Sequence, residues 1–111
     1  MGSREFLTQH ELMVMLAVLR LGRNAYGVPI GAEIADRTGR ELLLGSVYAT
    51  LEGLERKRLV VSRLGEVTSK RGGRAKTYFR LTAEGVRQVR EAQRGIQALS
   101  EGLPELEGAR P

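Results

Sequence analysis

The sequence predicts a mainly α domain with one small β-hairpin, an α+β arrangement. Three observations carry that expectation. Apolar residues recur at helical spacing in four segments. Two strand-like runs, Leu59 to Val67 and Ala75 to Leu81, flank a basic loop with Gly72-Gly73 at its tip. Side chains suited to cap helices stand at Thr8, Ser46 and Thr82.

Thr8-Gln9-His10-Glu11 spells a capping box, in which the threonine hydroxyl accepts from the third amide and the glutamate reaches back. The first helix runs from Leu12 to about Leu21 and stops at Gly22. Its apolar residues surround it almost completely, so it is buried on more than one side. Tyr26-Gly27 begins a turn, and Pro29 suits the first turn of a second helix. Ile30 and Ile34 share a face of that helix, and Gly39 ends it. A third helix starts near Gly45-Ser46, with Ser46 as its N-cap. Val47, Leu51 and Leu54 form its core row, and Arg58 falls next in the same row.

The hairpin follows. Thr77, Phe79 and Leu81 alternate on one face with Tyr78 and Arg80 on the other, and Thr68 to Arg74 form the loop. Thr82 caps a last helix whose stripe, Val86, Val89, Ala92, Ile96, Leu99 and Leu103, suits helix-on-helix packing. Two short helices joined by a brief turn and followed by a hairpin match a winged helix-turn-helix. The expected boundaries are a tail at 1–7, the winged helix-turn-helix at 8–81, a dimerisation helix at 82–103 and a frayed tail at 104–111.

Charge is the strongest functional signal. Residues 56–80 carry nine Lys or Arg and one acid, Glu66, a net charge of +8; the rest of the chain is −3, and the whole is +5. Such concentration on one element is the footprint of a surface that meets a phosphate backbone. An enzyme has little support. There is no cysteine, His10 is the single histidine, and no nucleophile–base pair stands out. No cofactor and no metal are expected. No segment reaches the ~18 apolar residues of a membrane span, and a cytoplasmic location is the default.

On the third helix, Gly45, Ala49, Gly53 and Arg56 lie opposite the core row. Small side chains there let the helix approach the floor of a major groove. Ser46, Thr50 and Lys57 flank this ridge on one side; Tyr48, Glu52 and Glu55 flank it on the other. The two glutamates repel phosphate, so DNA is expected on the Ser46/Thr50 flank. Tyr48 is a further phosphate donor. In the hairpin, Lys70, Arg71, Arg74 and Lys76, around Gly72 and Gly73, sit where a wing reaches phosphates. Tyr26 and Tyr78 read as packing residues. An apolar first helix and a last-helix stripe together suggest a two-fold dimer through Met13, Leu16, Val86, Val89, Ile96, Leu99 and Leu103. Such a dimer spaces two recognition helices about one DNA turn, ~34 Å, apart.

Three stretches add a resemblance: Tyr26-Gly27-Val28-Pro29-Ile30; Gly45 to Val60; and Gly72-Gly73-Arg74-Ala75-Lys76-Thr77-Tyr78-Phe79-Arg80-Leu81-Thr82-Ala83-Glu84-Gly85. Over residues 7–103 the chain resembles the PadR family of bacterial winged-helix transcriptional regulators, in its short form with a single C-terminal helix. The resemblance implies a homodimeric repressor of a double-stranded DNA operator. The third helix would enter the major groove, the wing would touch the backbone and the last helix would dimerise. Ser46, Tyr48, Ala49 and Thr50 would inherit the recognition contacts, and Lys70, Arg71, Arg74 and Lys76 the wing contacts. Two positions depart from the family pattern, which has Pro at Ala49 and Gly at Arg58. Some family members bind effectors at the dimer interface; with no Trp and 5% aromatics, an aromatic stacking pocket has little support here, and the effector is unidentified. The rival expectation is a winged helix that binds another protein, which Glu52 and Glu55 would suit.

Overall fold

The computed structural model describes residues 6–66 and 75–107. The elements are α1 (Gln9–Leu21), a 3₁₀ turn (Gly22–Asn24), α2 (Gly27–Thr38), α3 (Leu44–Arg56), β1 (Val60–Leu64), β2 (Thr77–Leu81) and α4 (Ala83–Ser100). Three helices and an antiparallel hairpin enclose one core, and α4 leaves it. The winged-helix architecture expected from the sequence is the one observed.

The capping box opens α1 as expected: Thr8 Oγ1 accepts from the Glu11 amide at 3.0 Å, and Glu11 Oε1 accepts from the Thr8 amide at 2.9 Å. The helix starts three residues before Leu12 because that box fixes Gln9 as its first residue. Val14, Met15, Ala17 and Val18 are buried, with Leu12, Met13, Leu16 and Leu21 packed around them. Glu33 of α2 accepts from Arg20 of α1 at 3.0 Å and from Arg37 at 2.7 Å, which ties the two helices at the surface. Ile30 and Ile34 face inward, and α2 ends at left-handed Gly39.

The start of α3 departs from expectation. Ser46 is not the N-cap; Leu43 occupies that position and makes no side-chain cap bond. The Leu43 carbonyl accepts from the Ser46 and Val47 amides at 2.9 and 3.1 Å, so the first turn has already formed at Ser46. Leu42, just before the cap, and Val47, the fourth helical residue, both join the core. Their spacing is that of a hydrophobic staple, so apolar burial rather than a hydroxyl sets the entry. Val47, Leu51 and Leu54 are fully buried, as their row predicts.

The end of α3 is a Schellman turn. The Leu59 amide donates to the Leu54 carbonyl and the Arg58 amide to the Glu55 carbonyl, each at 2.9 Å. Arg58 is left-handed, with φ 64°, the one non-glycine residue of positive φ among those described. Leu59 belongs to this turn, which is why β1 begins at Val60 rather than Leu59. The strands pair with Val60 opposite Leu81, Ser62 opposite Phe79 and Leu64 opposite Thr77. Val60, Phe79 and Leu81 face the core, while Arg80 faces solvent. The Phe79 amide donates to the Ala25 carbonyl at 2.8 Å, so a residue two before the start of α2 satisfies the outer edge of β2. The expected loop, Thr68 to Arg74, and Val67 lie outside the described residues.

Helix α4 grows directly from the Schellman turn. The Thr82 amide donates to the Leu59 carbonyl at 3.0 Å, and Thr82 Oγ1 donates to the Arg58 carbonyl at 2.9 Å. The same hydroxyl caps the helix by accepting from the Gly85 amide at 3.0 Å. A Cβ on Gly85 would lie 2.2 Å from the Leu59 carbonyl oxygen, so only glycine permits this approach. The helix ends at Ser100, short of the expected Leu103. Gly102 is left-handed, with φ 77°, and Pro104 disfavours helical backbone at Leu103. The radius of gyration is 16.4 Å. A compact chain of this length would have about 13 Å; the projecting α4 contributes to the excess.

Two substitutions test the turn by urea denaturation. Arg58→Gly is expected to raise the unfolding free energy by about 1 kcal/mol, because glycine adopts the left-handed conformation without strain. Gly85→Ala is expected to lower it by up to about 3 kcal/mol, the scale of overpacking against fixed backbone.

Candidate nucleic-acid interface

The exposed ridge of α3 consists of Gly45, Ala49, Glu52 and Arg56. Two residues without bulk are followed by Glu52 about one turn on and by the Arg56 guanidinium about two turns on, and a Cβ on half-buried Gly53 would sit 3.7 Å from Arg56 Nη2. A ridge this low lets the helix backbone come close to a flat-walled groove. Ser46 is half-buried beside it.

The flank assigned to DNA from the sequence turns instead toward α1. Thr50 Oγ1 lies 3.3 Å from His10 Nδ1, and Lys57 Nζ donates to Glu11 Oε2 at 2.8 Å. Thr50 and Lys57 therefore join α3 to the start of α1, and the ridge carries the open face. His10 Nε2 is buried without a hydrogen-bond partner. Tyr48 also has a packing role. A Cβ on Gly27 would lie 2.4 Å from its Cζ and its hydroxyl oxygen, so the outer end of the ring rests on the first residue of α2. On the opposite flank, Glu55 Oε2 accepts from Ser62 Oγ at 2.8 Å, which links α3 to β1. A helical wheel gives angular order but not which flank a neighbouring helix covers, so none of these links was readable in advance.

Toward the far end of the paired strands, cations and rings interleave. Arg63 lies over the Tyr78 ring at 4.6 Å, and Lys76 over the Tyr26 ring at 4.9 Å. The two rings meet edge to face, with centroids 5.4 Å apart. Lys76 is exposed, as a wing contact requires. Lys70, Arg71, Gly72, Gly73 and Arg74 lie outside the described residues.

A second surface is apolar. On α4, Ile96 is 62% exposed and Leu99 78%, and Leu103 beyond the helix is also exposed. Met13, Leu16 and Val86 are half-buried against the core. Val89 differs from the expectation that it lies in a dimer contact: at 3% exposure it is covered by its own chain, because the first half of α4 packs on the core. Among the described residues, no group of His, Asp or Glu is placed to hold a metal ion, and no helix is long and apolar enough to cross a membrane.

Burial pushes the Glu11 carboxyl up, but the Lys57 ammonium and the Thr8 amide and hydroxyl outweigh it and hold it below its usual range. A depressed folded-state pKa contributes stability above the unfolded value, and that contribution is lost as pH falls through the folded value. Glu11→Gln keeps the capping-box geometry and removes the charge. It is expected to destabilise the fold at neutral pH, with the difference shrinking as pH drops below about 4 in a series of urea melts.

Comparison with known proteins fits this geometry. The model of the transcriptional regulator PadR-like family matches residues 15–91. A PadR family transcriptional regulator from Eggerthella lenta is 27% identical, with TM-score 0.66, covering 88% of this chain and 83% of that one. A PadR family transcription regulator from Clostridium difficile superposes with TM-score 0.72 at 20% identity, covering 85% and 93%. A PadR-like transcriptional regulator from Bacillus cereus gives 0.66 at 17%, covering 91% and 92%. The last two likenesses concern the fold alone. Comparison with curated proteins returns no match. With the family model spanning most of the helices and the whole hairpin, the chain belongs to the PadR-like family of transcriptional regulators.

Proposed function

We propose that this transcriptional regulator is a homodimeric, cytoplasmic repressor that binds a double-stranded DNA operator sequence-specifically. The observation that carries the reading is the pairing of two features. The ridge of α3 (Gly45, Ala49, Glu52, Arg56) stands open beside a hairpin, residues 59–81, that carries six Lys or Arg and one acid, a net charge of +5. The ridge suits the floor of a major groove, and the hairpin suits phosphates on its rim. Arg56, with a fork of donors at the end of the ridge, is the residue best suited to read a guanine edge. Ser46 and Lys76 add backbone contacts, as do Lys70, Arg71 and Arg74. Thr50 and Lys57 on one flank, and Tyr48 on the other, brace α3 against the helices beside it.

Dimerisation supplies the second half-site. The exposed Ile96, Leu99 and Leu103 of one protomer would pack on the α1 face around Met13 and Leu16 of its partner, burying surface that a lone chain leaves to water. An effector would act by favouring one separation of the two α3 helices over another.

Fluorescence anisotropy tests this reading. The protein is titrated with the duplex upstream of its own gene and with a scrambled duplex, over a salt series. Tighter binding to the upstream duplex is expected, with log K falling by about 0.9 per log unit of salt for each phosphate contacted. Arg56→Ala is expected to lose ~1–3 kcal/mol at one base position rather than weaken all sequences alike. Leu99→Glu is expected to yield a monomer in sedimentation velocity and to bind the operator at least about tenfold more weakly. No binding to any duplex at low salt would contradict the proposal and turn the ridge, with Glu52 on it, toward a protein partner.

A further inference from the structure

The hairpin has two strands and is attached to the body mainly at its base. Its inner face meets the core through Val60, Phe79 and Leu81, but Leu64 at the far end of β1 is 72% exposed. A two-stranded ribbon has little stability of its own, so beyond Phe79 something else must hold its direction. The outer face provides a candidate. Tyr78 points away from the core and meets the edge of Tyr26, the residue next to Ala25, whose carbonyl receives the Phe79 amide. Each arm of the hairpin also places one cation on this ring pair, Arg63 from β1 on Tyr78 and Lys76 from the approach to β2 on Tyr26. The Tyr78 ring covers Gly65, where a Cβ would lie 2.6 Å from Cε1, and the Gly65 amide donates to the Lys76 carbonyl at 2.7 Å. Both arms thus converge on Tyr26, the N-cap of α2, the helix packed against α3.

We propose that Tyr26 and Tyr78 are positioning residues for DNA binding: their ring pair mounts the basic hairpin at a fixed angle to α3, without either hydroxyl touching DNA. The proposal rests on the DNA-binding reading and adds to it the device that relates its two contact elements. It also gives Tyr26 and Tyr78 a role beyond covering the edge of the core.

The experiment compares Tyr26→Leu, Tyr78→Leu, the double variant and the two Tyr→Phe variants in operator anisotropy over a salt series. Each Leu variant is expected to bind roughly three- to tenfold more weakly, the scale of one aromatic pair. The double variant is expected to be no worse than either single one, since one contact is lost in all three. The salt slope should become shallower, because unmounted cations leave their phosphates, whereas losing an uncharged hydroxyl would leave it unchanged. The Phe variants should match the parent. Gly65→Ala keeps both tyrosines, displaces the Tyr78 ring and should reproduce the loss, which covers the case of a Leu variant that fails to fold. Phe variants as weak as Leu variants, additive losses or an unchanged slope would overturn the proposal. Hydrogen exchange at the Gly65 amide separates it from the DNA reading. Faster exchange in the Leu variants supports the mount even if the parent protein binds no duplex, and unchanged exchange refutes it.

Discussion

The relation among the three parts of this molecule depends on one residue, Leu59. Its amide closes the Schellman turn that stops α3, its carbonyl accepts the amide of Thr82 that starts α4, and Gly85 is pressed against that oxygen. The residue before Leu59, Arg58, holds a left-handed conformation that glycine would adopt without strain. The Thr82 hydroxyl bonds the Arg58 carbonyl and caps α4 at the same time. Helix α3, the hairpin and the projecting α4 therefore leave from a single hydrogen-bonded turn. Any change in the direction of α4 would be transmitted to α3 through backbone hydrogen bonds rather than through flexible side chains.

In the proposed dimer, an effector that altered how two α4 helices pack would move each α3 with its α4, because both leave from the same hydrogen-bonded turn. The strain at Arg58 is modest and local, and the surrounding bonds are sufficient to hold it. The same economy appears on the far side of α3, where Lys57 and Thr50 bind the start of α1 and leave the Gly45–Arg56 ridge as the open face.

What the sequence made legible was local. Thr8, Gly39 and Thr82 announce helix ends through bonds to their nearest neighbours, and the row Val47, Leu51, Leu54 announces the buried face of α3. The departure from the family pattern at Arg58 marked the position, and its left-handed backbone came from the structure. What remained illegible needed the third dimension. Ser46 looked like a cap because its hydroxyl type is right, but burial of Leu42 and Val47 begins the helix earlier. Thr50 and Lys57 looked open because their partners, His10 and Glu11, are 40 and 46 residues distant in sequence. Val89 looked like part of a seam because its stripe is continuous, yet α4 passes from its own core into the open between Val89 and Ile96.

Hydroxyl-radical footprinting of the upstream duplex tests the central claim, that two α3 ridges held by a dimer read DNA on one face. The account predicts two symmetric protected patches about one helical turn, ~10 base pairs, apart, each flanked by backbone protection where a hairpin lies. A single patch without two-fold symmetry, or protection that slides uniformly along the duplex, would contradict it.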